Sequence, residues 1–342
     1  MNIYMYPIED PKKSVSKNPY IDNLIETIEK NSCKVVNKRR VSKYGILDLL
    51  LHVSKVDTYY LNWVENLPDK RYGWIQAAVF IFIFIILKLF RKKIVWMMHN
   101  KISHSKKGLF LKIVTNYVLL NYSDVVLTHS LDGIRFGNIL LKKEKMIEFI
   151  HHPLENNTKK INHDLDKDID ILIWGTISPY KGIDTFLEYL QSGGGSSNYN
   201  IHIVGKITSN ELVEKLNLYV TDKIVIENTF VTSERLEYLF SRSKMVLFTY
   251  AGYSTLSSGA LMDTLSYKNY VIGPNVGAFR DLNEEKLMDT FIDFNNLIEK
   301  LENGLLNKKL DSQKLDTFIE NNSWNNFGSF LCKILSNESI KS

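Results

Sequence analysis

The feature that most constrains the fold is a repeated alternation of short apolar runs with segments of helical periodicity. Such alternation is typical of a parallel sheet covered by helices on both faces, because each strand needs a helical connection back to the same edge. In the first half of the chain, the predicted elements are a helix at Asn18–Lys30 and strands at Ile3–Tyr6, Thr58–Leu61, Ile94–Met98, Val125–Thr128 and Met146–Ile150.

The alternation starts again after a polar segment, Glu155–Asp168, which we interpret as a linker between two domains. A length of 342 residues also favours two domains over one core. The sequence therefore predicts two doubly wound α/β domains, residues 1–155 and 156–320. In the second half, the predicted strands are Ile169–Trp174, Asn200–Val204, Lys223–Ile226, Met245–Phe248 and Tyr270–Ile272, and the predicted helices are Ile183–Leu190, Leu212–Leu218, Ser233–Phe240 and Leu261–Ser266.

Charge is distributed unevenly between the two halves. Residues 1–165 carry 26 Lys and Arg against 15 Asp and Glu, whereas residues 166–342 carry 17 against 23. A basic half indicates an anionic partner, either a membrane surface, a nucleic acid or a phosphate-bearing substrate. The lysines are scattered among apolar strands and no nucleic-acid-binding motif occurs, so we predict no nucleic-acid partner.

The two cysteines, Cys33 and Cys332, are far apart in the sequence and lack metal-ligand spacing. A disulfide framework or a zinc site is therefore not expected, and a reducing cytoplasm fits this composition. The segment Met1–Tyr6 does not have the basic region and long apolar region of a signal peptide. We expect a cytoplasmic location.

An unbroken apolar run, Ala77–Leu87, is followed by the basic residues Arg91, Lys92 and Lys93. Eleven residues are fewer than the ~20 that a membrane-spanning helix needs. A buried helix is the leading interpretation, insertion into a membrane interface is the second, and a true span is the third. The basic cluster favours the interfacial interpretation, because cations beside an apolar surface attract anionic lipid.

The strongest chemical signal is the segment Gly175–Gly182, which follows a predicted buried strand. Pro179 lies in the turn, and Lys181 and Gly182 open the next helix. Ligands of open α/β sheets bind at the carboxyl ends of strands, and a lysine beside a helix N-terminus can hold a diphosphate. The alternative is an ordinary loop with a surface lysine.

A second signal follows the strand that ends near Phe248. The hydroxyls of Ser257 and Ser258 and the backbone near Gly259 could bind an anion, and Asp263, one turn later, could accept hydrogen bonds from ribose. Helix capping by either serine is the alternative. A third, glycine-rich strand end, Val271–Phe279, would close the same crevice.

Polar residues also follow the predicted strands of the first half. Five of the eight histidines lie at these strand ends: His99, His104, His129, His151 and His152. Histidine can act as an acid, a base or a phosphate ligand, although any single one of these is more often a capping or surface residue. Their recurrence at strand ends indicates a shared cleft.

These segments together resemble the glycosyltransferases of GT-B architecture, especially family 4 and its bacterial polysaccharide and capsule relatives. Asn18-Pro19-Tyr20 is similar to the tripeptide that opens the first helix of that group, and Asn62-Trp63-Val64-Glu65 to its His-Trp-x-Glu strand end. The most specific match is Gly175–Gly182, which fits a Gly-x-Ile-x-Pro-Tyr-Lys-Gly pattern. Trp324 resembles the tryptophan before a final helix that crosses back to the first domain, here residues 321–342.

The resemblance implies transfer of a sugar from a nucleotide diphosphate to a saccharide acceptor, with retention of configuration and without a cofactor or an essential metal. Lys181 would contact the diphosphate, and His99 would face the reacting sugar. The implied donor-side residues are Gly175, Tyr180, Lys181, Gly182, Thr255, Ser257, Ser258, Gly259 and Asp263. The implied acceptor-side residues are Asn18, Tyr20, Asn62, Trp63, Glu65, Asn100, His104 and His152. The basic, apolar first domain fits an acceptor on a polyprenyl lipid at the inner face of the cell membrane.

Two departures from the family pattern bear on the donor. The turn Thr176–Ser178 has no arginine, so the positive charge rests mainly on Lys181. Thr255 and Asp263 stand where many members carry two glutamates eight positions apart. A sugar-nucleotide epimerase of the same fold is the alternative function; it would need neither an acceptor surface nor membrane affinity.

Overall fold

The computed structural model describes residues 1–8, 19–38, 44–101, 108–142, 146–193, 198–251, 256–303, 308 and 311–336. The chain divides into two compact units. Unit 1 comprises Met1–Pro153, Ser254–Ser257 and Asn322–Ser342, and unit 2 comprises Leu154–Tyr253 and Ser258–Asn321. The first boundary therefore falls after Pro153, slightly before the one predicted at residue 155.

Unit 1 is built on a parallel sheet. Its strands are β1 (Asn2–Tyr6), β2 (Lys34–Val35), β3 (Thr58–Asn62), β4 (Lys93–Met98), β5 (Val125–Thr128) and β6 (Ile147–Phe149). They lie in the order β2-β1-β3-β4-β5-β6, and every neighbouring pair is parallel. Because all strands run the same way, the polar segments after them gather at one edge of the sheet.

Helices cover both faces of this sheet. They are α1 (Tyr20–Lys30), α2 (Gly73–Leu89), α3 (Leu109–Tyr122), α4 (Leu131–Leu140) and α12 (Trp324–Ser336). The last of these, α12, returns to unit 1 after the chain has formed unit 2. α12 packs on α1: Phe327, Leu331 and Leu335 share one apolar cluster with Leu24 and Ile28. The final helix therefore belongs to the core of unit 1.

Unit 2 has a second parallel sheet, with the strands β7 (Ile169–Trp174), β8 (Ile201–Val204), β9 (Ile224–Glu227), β10 (Ser243–Leu247), β11 (Val271–Pro274) and β12 (Asp289–Phe291). Their order is β12-β11-β10-β7-β8-β9, which is the doubly wound dinucleotide-binding order. The strand order reverses between β7 and β10, and ligands of such sheets bind at this point, outside the carboxyl ends.

The helices of unit 2 are α5 (Ile183–Gln191), α6 (Asn210–Asn217), α7 (Ser233–Arg242), α8 (Gly259–Ser266), α9 (Gly277–Glu284), α10 (Phe294–Glu302) and α11 (Ser312–Asn321). Two apolar clusters lie on opposite faces of the sheet. One packs α7 and α8 against β10 and β11, and the other packs α5, α6 and α10 against β7 and β8. The fold class predicted from the alternation is confirmed.

The predicted strands all coincide with observed ones to within two residues at each end. Two strands were not predicted, because β2 has two residues and β12 has three, too short for a periodic signal. The segment Glu155–Asp168, which we interpreted as the linker between the domains, begins just after the unit boundary and is hydrogen-bonded to unit 2. Asn157 donates to Ser266 at 3.1 Å and Asp168 pairs with Arg242, so the segment is docked along unit 2.

The apolar run Ala77–Leu87 lies in α2, which is apolar on both sides. Its inner side is buried in the core of unit 1, and its outer side exposes large apolar side chains to solvent. Among the residues that the structure describes, every helix falls short of the length and apolarity needed to cross a lipid bilayer. The spanning interpretation is therefore not supported. The buried interpretation describes the inner side of the helix, and insertion of the outer side into a membrane interface stays a prediction.

Candidate functional site

Lys181 lies where the strand order of unit 2 reverses. It follows β7 in a short turn, Pro179–Lys181, that leads through Gly182 into α5. The Lys181 ammonium group donates to the Tyr250 hydroxyl at 2.5 Å, and the Tyr250 hydroxyl lies 3.0 Å from the Ser258 hydroxyl. Two successive hydrogen bonds thus join the loop after β7 to the loop after β10.

The Lys181 side chain is buried, and the residues that the structure describes provide no counter-ion for it. Only 7% of the residue is exposed, and the nearest polar partner is the neutral hydroxyl of Tyr250, whose ring centroid lies 4.2 Å from the ammonium nitrogen. Within the described part of the chain, no carboxylate is in ion-pair distance of Lys181. Burial lowers the pKa of this lysine. A buried, unpaired cation is energetically costly and is stabilised by an anion that binds beside it.

The N-terminus of α8 adjoins this lysine through Ser258. The Ser258 hydroxyl accepts the N–H of Leu261 at 3.3 Å, so helix capping is an observed role of this serine, and its oxygen is engaged within the protein. The amides of Gly259 and Ala260 have no acceptor among the described residues. Lys181, Tyr250, Ser258, Gly259 and Ala260, which we call the Lys181 site, thus offer an ammonium group and backbone N–H groups to an anion.

Asp263 lies one helical turn after Gly259 on the same face of α8. The residue is exposed at the surface, yet desolvation by the protein atoms around its carboxyl group raises its pKa to about 6, and the charge of Glu155 acts in the same direction.

Two further predicted donor-side residues lie next to the Lys181 site. The half-buried Ser257 directly precedes Ser258 in the sequence. Tyr180 lies beside Lys181 and is 40% exposed.

Glycines bring the two loops of the Lys181 site together. Gly175 has φ +97°, and a methyl group there would lie 3.9 Å from Ala260 of α8. Gly182 has φ +66°, and a methyl group there would lie 2.6 Å from the carbonyl oxygen of Thr249. The Thr249 hydroxyl also donates to the carbonyl of Lys181 at 2.6 Å. The match of this segment to Gly-x-Ile-x-Pro-Tyr-Lys-Gly therefore has a steric basis at both of its glycines.

Gly182→Ala should destabilise unit 2 more than Gly193→Ala does. Both positions have positive φ, so each substitution costs about 1–2 kcal/mol of backbone strain. Gly193 has no atom within 4 Å of the added methyl group, whereas at Gly182 the Thr249 carbonyl must also move. We expect an additional loss of about 2 kcal/mol or more for Gly182→Ala, measured by urea unfolding with the fluorescence of Trp174. Equal losses for the two variants would contradict this packing.

A cavity of about 470 Å³ opens beside Tyr250 in unit 2. The third, glycine-rich strand end contributes Pro274, Asn275 and Val276 to its wall, together with Thr185, Thr249, Tyr250, Ala251, Phe291, Ile292, Asp293 and Phe294. None of the predicted donor-side residues lines this cavity. Tyr250 and the β12 end were missed because their roles depend on contacts between distant loops.

In unit 1, aromatic rings and imidazoles surround Tyr20. The centroid of its ring lies 5.1 to 6.1 Å from those of Trp63, His99, His129, His152 and Trp324; with Tyr20, we call these residues the Tyr20 cluster. Its members follow β3, β4, β5 and β6 or begin α1 and α12. The predicted gathering of histidines at strand ends is thus present for His99, His129 and His152.

Hydrogen bonds fix the tautomers of two of these histidines. The Nδ1 atoms of His129 and His152 lie 2.9 and 2.8 Å from the carbonyl oxygens of Ile150 and Pro153. A carbonyl oxygen only accepts, so Nδ1 carries the hydrogen in both rings. In His129 the Nε2 atom accepts from the Tyr20 hydroxyl at 3.2 Å. In His152 the Nε2 atom carries a lone pair, and among the described residues no hydrogen-bond donor contacts it.

His99 is held between two residues from the end of β3. Its ring stacks on Trp63 at 4.5 Å with an interplanar angle of 19°, and its Nε2 atom lies 3.0 Å from the Asn62 side-chain oxygen. Trp63 has φ +49°, a strained conformation for a bulky residue. Such strain is found mostly where surrounding structure holds a functional geometry.

Burial sets the charge state of the three histidines in the Tyr20 cluster. Desolvation lowers the pKa of His99 to about 3 and that of His152 to about 4, and it holds the pKa of His129 well below its usual range. All three rings are therefore neutral at pH 7. Within the described residues, no group of three or more His, Cys, Asp and Glu side chains has the arrangement of a metal site.

Glu65 lies behind His99 and is almost fully buried. Burial raises its pKa to about 7, while the indole of Trp96 and the backbone N–H groups of His99 and Asn100 oppose this shift. The Trp96 indole donates to Glu65 at 3.3 Å. Glu65 therefore holds the strand end that carries His99 and Asn100.

Three predicted site residues, Asn18, His104 and Thr255, lie outside the described residues. Four contributors to these sites were absent from the predicted donor-side and acceptor-side residues: Tyr250 and Ala260 of the Lys181 site, and His129 and Trp324 of the Tyr20 cluster. Trp324 carried a sequence signal through its resemblance to the tryptophan before the last helix. For Tyr250 the sequence signal was its position directly after a buried strand.

The two sheets and the position of the Lys181 site at a reversal of strand order define the GT-B fold class. Solved structures of this class cover essentially the whole chain. HepE from Anabaena, solved in complex with UDP, has a TM-score of 0.68 at 11% identity over 98% of this chain and 99% of HepE. Sucrose-phosphate synthase from Thermosynechococcus elongatus has a TM-score of 0.70 at 11% identity over 98% of both chains.

A glycosyltransferase from Rickettsia africae has a TM-score of 0.63 at 15% identity and covers 100% of this chain and 99% of its own. No protein-family model matches the sequence, and comparison with curated proteins finds no match either. Similarity at this level of identity establishes the fold, which hosts more than one chemistry.

Proposed function

We propose that the chain is a retaining glycosyltransferase of the family 4 type. It moves a hexose from a nucleotide diphosphate to a saccharide acceptor in bacterial surface polysaccharide or capsule synthesis. The observation that carries this proposal is the buried Lys181, which has no carboxylate partner among the described residues and lies where ligands of such sheets bind. An anion that neutralises this lysine would stabilise unit 2 and the site together.

The donor's diphosphate fits the Lys181 site. As the bond between sugar and phosphate breaks, negative charge grows on the leaving diphosphate, and the Lys181 ammonium group and the amides of Gly259 and Ala260 stabilise it. Asp263, one turn into α8, accepts hydrogen bonds from the ribose hydroxyls. Positive charge from Lys181 takes the place that a metal ion has in other transferases, so no cofactor and no essential metal is proposed. HepE has been solved with UDP and with UDP-glucose, which makes UDP the first nucleotide to test.

The acceptor sugar fits the Tyr20 cluster of unit 1. Aromatic rings such as those of Trp63 and Trp324, both half-buried, present apolar faces on which sugar C–H groups stack. The Nε2 atom of His152 accepts from an acceptor hydroxyl. Because its pKa is about 4, this ring orients the hydroxyl at neutral pH and is only a weak base. His99, beside Trp63, faces the reacting sugar.

Product analysis tests the proposal. The full chain is incubated with UDP-hexoses, with and without a polyprenyl-linked saccharide. A transferase releases UDP and forms a glycoside only when the acceptor is present, and the anomeric configuration of the product is read by NMR. A nucleotide sugar isomerised without any acceptor would instead establish the epimerase alternative. Formation of neither product with any nucleotide sugar would refute the proposal.

We further propose that unit 1 binds the anionic inner face of the cell membrane. The helices α2 and α3 expose nine large hydrophobic residues, which we call the α2–α3 face: Trp74, Ile75, Phe82, Ile85, Leu89, Leu109, Phe110, Ile113 and Tyr122. Exposed cations adjoin α2, with Lys70 and Arg71 before it and Arg91 after it. Apolar side chains beside cations match the chemistry of an anionic bilayer interface, where a polyprenyl-linked acceptor would be found.

Phe82→Asp and Phe110→Asp should each weaken binding to phosphatidylglycerol vesicles about tenfold or more. Each substitution removes an aromatic ring that the interface would bury and adds a negative charge that anionic lipid repels. Sedimentation with vesicles measures the partition. The control is Ile292→Asp, at a residue of unit 2 that is 76% exposed, which should bind as the parent does. Equal binding of all three variants, or equal binding to phosphatidylcholine vesicles, would exclude this surface.

A further inference from the structure

The fold brings together the two cysteines of the chain in unit 1. The backbone N–H of Cys33 donates to the carbonyl oxygen of Ile28 at 3.3 Å, and the Cys332 sulfur lies 3.8 Å from the same oxygen. The Cys33 side chain also acts on the Cys332 thiol, so the two thiols are neighbours. Cys33 follows α1 and Cys332 lies in α12, so their contact depends on the packing of the last helix against the first.

The backbone around both cysteines is held in place. A methyl group at Gly328 of α12 would lie 2.0 Å from the Thr27 methyl carbon of α1, so the two helices approach closely there. Beyond Cys332, the Lys93 ammonium group donates to the carbonyls of Ile334 and Leu335 at 2.6 and 2.9 Å. A disulfide needs the two residues to lie close together in a fitting orientation, and this packing fixes their backbones side by side.

We propose that Cys33 and Cys332 form a reversible intramolecular disulfide, a redox modification site that locks α12 onto α1. Both residues are half-buried, so small oxidants reach them from solvent. The disulfide would also hold Trp324, the first residue of α12, in the Tyr20 cluster. This proposal does not depend on the proposed function, because its tests read thiols and stability.

The oxidant is a low-molecular-weight disulfide such as glutathione disulfide. Burial raises the pKa of the Cys332 thiol to about 12, and the neighbouring Cys33 acts in the same direction, so Cys332 is a poor first nucleophile. The Cys33 sulfur attacks first and gives its proton to the solvent. It bonds to one sulfur of the small disulfide and releases the other as a thiolate. That thiolate takes the proton of Cys332, whose sulfur then attacks Cys33 and releases the second small thiol. The two protein thiols lose two electrons, and the small disulfide becomes two thiols.

The test uses the full chain and the variants Cys33→Ser and Cys332→Ser. In glutathione buffers of rising oxidising strength, the parent should lose both free thiols and two hydrogens in mass without dimerising, and dithiothreitol should reverse the change. A digest should contain one peptide pair that joins Cys33 to Cys332. Each variant keeps one cysteine and should add a single glutathione instead. Persistence of both thiols, or mixed disulfides and dimers in the parent, would overturn the proposal.

Stability provides a second measurement. Because the bond closes a loop that spans most of the chain, the oxidised parent should unfold at a midpoint about 5 °C or more above the reduced parent. Neither serine variant should show such a rise under the same oxidation. A disulfide that forms without raising the midpoint would show that α12 is not locked by it.

Discussion

Replacing Lys181 by methionine should abolish the stabilisation that UDP and UDP-sugars give the protein, and should lower turnover by about 10²–10³. An oriented donor to a leaving group of this kind contributes about 3 kcal/mol to the transition state. In the parent, a nucleotide at 100 times its dissociation constant should stabilise the fold by about 2.7 kcal/mol. Thermal shift with UDP and UDP-hexoses measures the first effect, and UDP release measures the second.

The same substitution should leave the ligand-free protein as stable as the parent or more stable. Lys181 is buried beside a neutral hydroxyl, so methionine, of similar length, removes a costly charge and keeps the packing. A variant that is no longer stabilised by nucleotide, yet is as stable as the parent without it, has lost a binding residue. The matched control is Lys223→Met, at an exposed lysine before β9, which should change neither property. A Lys181 variant that unfolds more easily and still responds to nucleotides would make this lysine a structural residue.

The sequence predicted the Lys181 segment because its signal is local. A buried strand, a proline turn and two glycines in fixed conformations all lie within about a dozen residues. The partner loop was predicted only in part, since the Tyr250 hydroxyl joins residues that are distant in sequence. The sequence could not show that the Ser258 hydroxyl caps α8, or that no carboxylate of the described residues lies near Lys181, because both facts depend on tertiary contacts.

In unit 1, three of the five histidines that were predicted to share a cleft, His99, His129 and His152, lie in one cluster. The charge of its members could not be predicted, because it depends on how deeply each ring is buried and on the carbonyl it meets. The contact between Cys33 and Cys332 was hidden for a similar reason. Sequence separation argued against a disulfide framework, yet α12 returns to α1 after the chain has formed all of unit 2.

The apolar run Ala77–Leu87 shows a different limit. Sequence periodicity predicts which side of a helix is buried when one side is apolar and the other is polar. It gives no such prediction for α2, because α2 is apolar on both sides. Composition alone therefore left burial and membrane contact as competing interpretations. The structure buries Phe80, Ile83 and Phe84 in the core and exposes Phe82 and Ile85, so both interpretations can hold for one helix.

Unit 1 should lose stability steeply when the pH falls from about 6.5 to about 4.5. The native pKa values of His99, His129 and His152 are depressed, so in this range the unfolded chain binds three protons that the native rings do not. Their stabilising effect is present above the unfolded pKa and is lost as the pH falls. Glu65 acts in the opposite direction, because its native pKa is raised to about 7 and the native state holds one extra proton. The net excess of about two protons gives a slope of about 2.7 kcal/mol per pH unit.

Two substitutions should change this slope in opposite directions. Glu65→Gln removes the opposing proton and should steepen the slope to about 4 kcal/mol per pH unit, while His152→Gln should reduce it to about 1.4. Urea unfolding in a Trp174→Phe background measures it, because the remaining tryptophans, Trp63, Trp74, Trp96 and Trp324, all lie in unit 1. His163→Gln is the control, since that ring is exposed to water before and after unfolding. A slope that His152→Gln leaves unchanged would mean that the His152 ring is already protonated in the native protein, and its Nε2 atom could then no longer accept a hydrogen bond from an acceptor hydroxyl.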